Sequence, residues 1–380
     1  MIRKIFFWSH LVVGISVGII VFIMSATGVL LTYEKQIIEW DDSRHSVLPL
    51  EGEQRLTTDE VLRITREKHP NENHIYIHWI NEKGRAIPVW AGKHRYLLSP
   101  YSGETLQIGQ SPIVELLHFI TDLHRWLAMA AEEKSIAKEV TAYSNLLFLF
   151  LIISGAYLWL PRRFNWSSIK GHLLFKKHFK SHHAKHYNWH HVFGVWMMVP
   201  LFVIVSTATI FHFQWANGAV YGIYGEEAPG PRQRREPVEL IDGKQPYESL
   251  FTVAKQHAVD NGSADWHSMW VEFGRETENT RFYIDRSLGN NYDAAYALFL
   301  DNDTADVVRI KRGSDWSKGA QAWGGARFLH TGEYFGLVGQ TIAGLASLAG
   351  CFLVYTGFTL SWRRLVSPYL RKKRSLLNKI

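Results

Sequence analysis

The chain of 380 residues carries 42 Lys and Arg against 35 Asp and Glu, for a net charge of +7, and 47% of it is hydrophobic. Its single cysteine, Cys351, excludes intramolecular disulfides and cysteine-held iron–sulfur or zinc centres. A mean hydropathy of −0.11 would suit a water-soluble protein, but it averages a few long apolar blocks with polar segments.

Residues 1–33 form the first apolar block, and Ile5 to Tyr33 contains no Lys, Arg, Asp or Glu. That exceeds the ~20 helical residues needed to cross the hydrocarbon core. Arg3 and Lys4 precede it as in a signal peptide, yet the run is longer than a cleaved one and no small-residue cleavage pattern follows, so it reads as a retained anchor. Residues 34–111 are polar, with a helix start at Thr58-Asp59-Glu60 and then strand-like runs, the pattern of an α+β domain. Residues 112–139 read as an interfacial helical segment, with Trp126 as an anchor at the headgroups. Residues 140–161 are a second span, 162–189 a basic loop without acids, and 190–213 a third span. The α+β pattern returns in 214–325, with a helix start at Pro246-Tyr247-Glu248. Residues 326–362 hold the fourth span with its lead-in, and 363–380 a basic tail. His330 stands 33 residues before Arg363, about 50 Å of straight helix. The lead-ins must therefore break, and Glu132-Glu133-Lys134 and Gly332-Glu333 are the predicted places.

The segments before Ile5, between the second and third spans, and after Trp362 hold 16 of the 42 cations and none of the acids. The positive-inside rule then puts both termini and the middle loop in the cytoplasm, with 34–111 and 214–325 outside. The sequence pI of 9.3 thus reports orientation, and no nucleic-acid partner is expected.

The chain repeats itself. His10, Gly14 and Thr27 of the first span match His190, Gly194 and Thr207 of the third at a constant offset. Ser154-Gly155, Trp159 and Arg162-Arg163 after the second span match Thr356-Gly357, Trp362 and Arg363-Arg364 after the fourth. The outer segments end in comparable turns, within Tyr96 to Leu106 and Leu298 to Val307. A span, an α+β domain and a span, repeated in one orientation, predict a pseudo-twofold axis along the membrane normal.

These features (Trp8-Ser9-His10 through Thr27-Gly28, Leu123-His124-Arg125, His190 with Gly194, Leu329-His330-Thr331-Gly332, and Thr356-Gly357) resemble the PepSY-associated transmembrane family over nearly the whole length. The resemblance implies a membrane α-helical fold, with four transmembrane helices in a pseudo-twofold bundle and two α+β PepSY-like extracytoplasmic domains. Ala305 departs from the glycine usual at that turn. Some members resemble ferric-siderophore reductases of the bacterial inner membrane that carry haem b.

His10 sits two turns inside an uncharged span, a position that marks a site. Haem b in a bundle needs two neutral imidazoles facing each other from different helices, and a small residue to admit the porphyrin. His10 with Gly14 and His190 with Gly194 meet that specification, although close helix packing also explains the glycines. His191 is an alternate to His190. Symmetry makes His124 and His330 the outer pair, with His212 and His118 as alternates, and Tyr157 and Tyr355 as candidate relays between the sites. The loop histidines His172, His178, His182, His183 and His186 lie among lysines and read as part of a lipid-facing basic loop. Trp266, Trp270, Trp316, Trp323 and Tyr283 are candidate outer aromatics for receiving a chelated metal.

The expected activity is electron transfer through two haem b groups to a ferric chelate or siderophore outside. The donor is open between a cytoplasmic carrier and a quinol, because no nucleotide or flavin motif is present. The alternative is a non-catalytic PepSY membrane protein that binds or restrains a periplasmic partner. A metal-ion transporter is disfavoured, since the spans are nearly bare of acids and amides.

Overall fold

A computed structural model describes residues 1–161, 165–230, 238 and 242–370. Arg162, Arg163 and the tail cations Arg371, Lys372, Lys373, Arg374 and Lys379, used above for orientation, lie outside the described residues. In chain order the elements are α1 (Ile2–Leu31), α2 (Glu34–Ser43), α3 (Thr58–Lys68), β1 (Ile75–Ile80), β2 (Ile87–Ala91), β3 (His94–Leu98), β4 (Thr105–Ile108), α4 (Pro112–Trp126), α5 (Lys134–Trp159), α6 (Trp166–Leu173), α7 (His182–His212), α8 (Gln214–Gly222), α9 (Tyr247–Asp260), β5 (Ser268–Phe273), β6 (Asn279–Asp285), β7 (Ala295–Asp301), β8 (Val307–Arg312), α10 (Lys318–Thr331) and α11 (Gly336–Leu365). Four helical stretches are long and apolar enough to cross a membrane: Ile2–Leu31, Pro112–Trp159, His182–His212 and Glu333–Leu370.

The chain divides into a helical unit and a sheet unit. In the helical unit α1 and α7 each pack against both α5 and α11. Small residues permit the close approach, as is common between membrane helices: a Cβ on Gly18 would fall 2.7 Å from the Phe358 ring, and one on Gly350 would fall 2.7 Å from Ser25 Oγ. Asn145 Nδ2 donates to Val205 O and to Thr209 Oγ1, both at 3.0 Å, and ties α5 to α7. Helix α7 begins well before residue 190, because Ser181 Oγ accepts from Ala184 N at 3.2 Å and caps it there.

Both lead-ins break, the second at the predicted Gly332-Glu333. Gly332 takes φ 78 before the short turn Glu333–Phe335, and any Cβ there would strike the Gly339 carbonyl. The other reversal comes earlier than Glu132, at Leu127 and Ala128, both with φ 53. Backbone bonds from Leu127 N to Leu123 O and from Ala128 N to Asp122 O, each 3.1 Å, close the end of α4.

The sheet unit holds one eight-stranded sheet in the order β4-β3-β2-β1-β5-β6-β7-β8. Each half of the chain supplies a four-stranded antiparallel meander, and the two meet at β1 and β5, from Ile75↔Phe273 to Ile80↔Ser268. Strand alternation sends Ile75, Ile77, Trp79, Met269, Val271 and Phe273 into one core with Leu62, Leu250 and Phe251 of α3 and α9. The helix-start signals are exchanged between the copies. Asp59 accepts from Tyr247 N and Glu248 N at 2.9 and 2.8 Å, while Glu248 accepts from Thr58 N and Oγ1 at 2.8 and 2.9 Å. Helix α2 is tied to the same sheet by Asp42 with Arg95 at 2.6 Å and by Glu39 with His267 at 3.0 Å. The hydrogen bond with Glu39 raises the His267 imidazole above its ordinary value, and the same bond lowers the Glu39 carboxyl.

Candidate functional site

Inside the helical unit the rings of His10 and His190 lie edge to face, with centres 6.5 Å apart and an angle of 84° between their planes. Each is held by a hydroxyl from a different helix. His10 Nδ1 lies 2.8 Å from Ser154 Oγ on α5, and His190 Nδ1 lies 2.8 Å from Thr356 Oγ1 on α11. Both hydroxyl hydrogens are committed to backbone carbonyls: Ser154 donates to Leu151 O at 3.3 Å and Thr356 to Phe352 O at 2.7 Å. The hydroxyl oxygens therefore accept, each imidazole carries its proton on Nδ1, and each Nε2 keeps a free lone pair.

The same construction recurs farther along the bundle. His124 Nδ1 lies 2.8 Å from Thr27 Oγ1, whose hydrogen goes to Ile23 O at 2.7 Å. His330 Nδ1 lies 2.9 Å from Ile204 O and 3.2 Å from Thr207 Oγ1; a carbonyl only accepts, so this ring too is protonated on Nδ1. Thr27 and Thr207 lie seventeen residues beyond His10 and His190 in α1 and α7, which is about 25 Å of helix. The breaks after α4 and α10 let His124 and His330 fold back to these threonines.

A glycine follows three of the four hydroxyl residues, directly beside the ring. An added Cβ would meet His10 Cε1 at 3.4 Å from Gly155, His190 Cε1 at 3.6 Å from Gly357, and His124 Cε1 at 3.7 Å from Gly28. Gly14 and Gly194 instead face Leu151 and Leu353, so the glycines predicted to flank the histidines serve helix packing. Of the alternates, His191 turns away, with Nδ1 donating to Tyr187 O at 2.9 Å. His118 is exposed on α4, and His212 ends α7 with Nδ1 buried and without a partner among the described residues. Tyr157 packs on Phe6 at 4.9 Å and Tyr355 on His186 at 5.6 Å; both are exposed at the bundle surface.

A family model described as the PepSY-associated TM region matches residues 7–364. The chain belongs to that family. No curated protein matches it.

In this PepSY-associated protein no group of three or more His, Cys, Asp or Glu among the described residues is arranged to hold a metal ion. The pair of histidines that the bundle brings together is His10 with His190. Two imidazoles on opposite sides of one metal, with metal–nitrogen bonds of about 2 Å, stand roughly 6 Å apart centre to centre, and the His10–His190 spacing fits this. The fixed Nδ1–H tautomer is also the one a metal-binding histidine adopts when a neighbouring acceptor orients it.

The aromatic residues of the sheet unit divide. Trp266 belongs to the buried core, which removes it as a receiving surface. Trp270 is half-buried and stacks on His78 at 3.9 Å and on Trp90 at 5.0 Å. Burial there pushes the His78 imidazole down to about 3, so it is neutral. Tyr283 lies under the Arg281 guanidinium at 5.5 Å. Trp316 is exposed. Trp323 packs on Phe211 within the helical unit at 5.7 Å. Sequence reasoning missed Ser154, Thr356, Thr27 and Thr207 as histidine partners; the available signal was the equal spacing of His10 to Thr27 and His190 to Thr207.

Proposed function

We infer that this protein is a transmembrane haem b carrier of electrons that reduces a ferric chelate on the outer face of a bacterial inner membrane. The observation that supports this reading is the set of four histidines in the helical unit, each with Nδ1 against a hydroxyl of another helix. His10 and His190 would hold one haem, and His124 and His330 a second, each pair joining matching positions of the two copies. When bound, haem b supplies a one-electron iron couple. The protein's part is to orient each Nε2 through a serine or threonine, to leave room beside the ring with glycine, and to exclude water with the surrounding apolar spans. Both termini face the cytoplasm in this reading, and segments 34–111 and 214–325 form the PepSY-like outer modules that meet the chelate. Reduction would release the metal, because ferrous iron binds hard oxygen ligands more weakly than ferric iron.

The test is an absorption spectrum of the purified protein in detergent, oxidised and then dithionite-reduced, with a haem count per chain. Two haems per chain with six-coordinate reduced bands are expected, and His10→Ala should lose one of them while remaining in the membrane. Full haem retention in that variant defeats the ligand assignment.

The second reading, a non-catalytic PepSY membrane protein that binds or restrains a periplasmic partner, needs no cofactor. Family membership and the sheet with its half-exposed Trp90, Trp270 and Tyr76 bear on it directly. A colourless protein after expression with ample haem supply favours it.

A further inference from the structure

Beside His10 and His190 lies a second histidine pair that the haem assignment does not use. His172 on α6 and His191 on α7 have ring centres 4.8 Å apart. His191 Nδ1 donates to Tyr187 O at 2.9 Å, and His172 Nδ1 to Trp159 O at 3.2 Å. Carbonyl oxygens only accept, so both rings carry a proton on Nδ1, and in the neutral ring Nε2 is a hydrogen-bond acceptor. The Tyr187 ring flanks His191 at 4.1 Å and the Trp159 ring flanks His172 at 6.0 Å. Trp159 Nε1 is buried with no acceptor among the described residues. Buried N–H groups are nearly always paired, so an orphan one points to a missing partner.

Among the described residues the chemistry on offer is two acceptors and one donor. Arg3, a nearby cation, keeps its charge, but its N–H groups are taken by the Leu158 and Leu160 carbonyls at 2.7 and 2.9 Å. The surrounding surface is apolar and aromatic, with Leu160, Trp166, Leu174 and Trp196 exposed, as at the level of lipid headgroups. Trp196 Nε1 donates to Leu173 O at 2.8 Å and holds α6 against α7. A ligand for this place is neutral and lipophilic, and carries a hydroxyl that donates to an imidazole and accepts from the indole.

We propose that His172, His191 and Trp159 bind the head group of a membrane hydroquinone, which is the electron donor. This rests on the reductase reading. The His190 and His191 rings are 6.5 Å apart, so a hydroquinone held by His191 lies next to the His10–His190 pair. Oxidising one hydroquinone to the quinone breaks two O–H bonds and releases two electrons and two protons. The electrons reduce two ferric ions to ferrous, and the protons leave to water.

The purified full chain in lipid nanodiscs is titrated with decylubiquinol. Binding is read by calorimetry, and haem absorbance is recorded on the same samples. His172→Leu and His191→Leu should each weaken binding about tenfold or more, as expected for a lost hydrogen bond at a buried head group, with haem per chain unchanged. His191→Gln, whose carbonyl reaches the Nε2 position, should retain most of the affinity. If the Leu variants fail to insert, Trp159→Phe removes only the indole donor and should weaken binding severalfold. Wild-type affinity in the Leu or Phe variants overturns the site. Loss of haem from His191→Leu also overturns it, making His191 an iron ligand. A haem-containing protein that binds no decylubiquinol removes the hydroquinone site and leaves the reductase reading. Binding by a haem-free chain that these variants abolish removes the reductase reading and leaves the site.

Discussion

The hydroxyl–imidazole couple is what a single histidine in a span needs in order to act as a ligand. Without an acceptor for its own N–H, a buried imidazole is free to choose its tautomer and its rotamer. Ser154, Thr356, Thr27 and Thr207 remove that freedom, and each can do so because its hydrogen is already given to a carbonyl of its own helix. Removing such an orienting group typically costs 10- to 100-fold in metal affinity. Thr356→Val keeps the shape and the β-branching of the side chain, so it is predicted to lower haem retention at the His10–His190 pair by roughly tenfold or more. Haem dissociation to an apo-haem scavenger measures this, and an unchanged rate would mean that the hydroxyl only packs. His10 and His190 were legible from their position in uncharged spans, and His124 and His330 from the symmetry of the repeat. Their hydroxyl partners were not, because the bonds join residues 97 or more positions apart, as in Thr27 with His124 and His190 with Thr356. The glycines directly beside the rings are Gly155, Gly357 and Gly28 rather than Gly14 and Gly194, for a local reason. A helical side chain leans toward the N-terminus of its helix, so the residue four positions later is not beneath its ring, and the glycine has to come from the facing helix.

Among the elements, the two meanders end in the same bulged turn with different residues. In the first, Ser99 Oγ accepts from Ser102 N at 3.2 Å, Gly103 N donates to Ser99 O at 3.1 Å, and Gly103 takes φ 71. In the second, Asp301 Oδ1 accepts from Asp303 N and Thr304 N at 2.8 and 2.9 Å, Ala305 N donates to Asp301 O at 3.0 Å, and Ala305 takes φ 63. The departure from glycine at Ala305 therefore leaves the geometry intact and places an alanine in the left-handed region. That conformation costs an L-residue about 1–2 kcal/mol, while glycine gives back part of the gain as unfolded-state entropy. Ala305→Gly is predicted to stabilise the sheet unit by about 0.5–1 kcal/mol, measured as a rise in the denaturant midpoint of the full-length protein; a fall would mean that the Ala305 methyl, which packs against the core, outweighs the strain. Turn signals of this kind are local and were legible. The exchange of caps between α3 and α9 was not, because Thr58-Asp59-Glu60 and Pro246-Tyr247-Glu248 each look like a helix start complete in itself.

At the scale of the molecule, the repeat is joined at the two central strands of the sheet unit. Strands β1 and β5 pair without any turn between them, so no local signal announces their contact, whereas hairpins such as β2–β3 are announced by Gly92 in their turn. Glu272 of β5 sits at this junction, and its carboxylate accepts from Tyr76 OH of β1 at 2.9 Å, meets His74 Nε2 at 3.3 Å, and pairs with Arg275 at 3.0 Å and Arg281 of β6 at 2.5 Å. Burial alone would raise this carboxyl, but the hydrogen bonds from His74 and Arg281 and the charges of Arg281 and Arg275 outweigh it and hold it at about 2. A carboxyl lowered from 4.5 to about 2 contributes stability that is fully present above pH 4.5 and is lost as the pH falls toward 2. Each unit of such a shift corresponds to about 1.4 kcal/mol, so Glu272→Gln is predicted to destabilise the sheet unit by about 3 kcal/mol at pH 7. The gap between variant and wild type should close between about pH 4.5 and 2. Because Glu272 bonds to strands of both copies, the amides of β1, β5 and β6 should lose hydrogen-exchange protection together in the variant at pH 7. Loss confined to β5 and β6 would mean that the two halves of the sheet open independently. A gap that persists unchanged at low pH would assign the effect to packing around the carboxamide rather than to the charge.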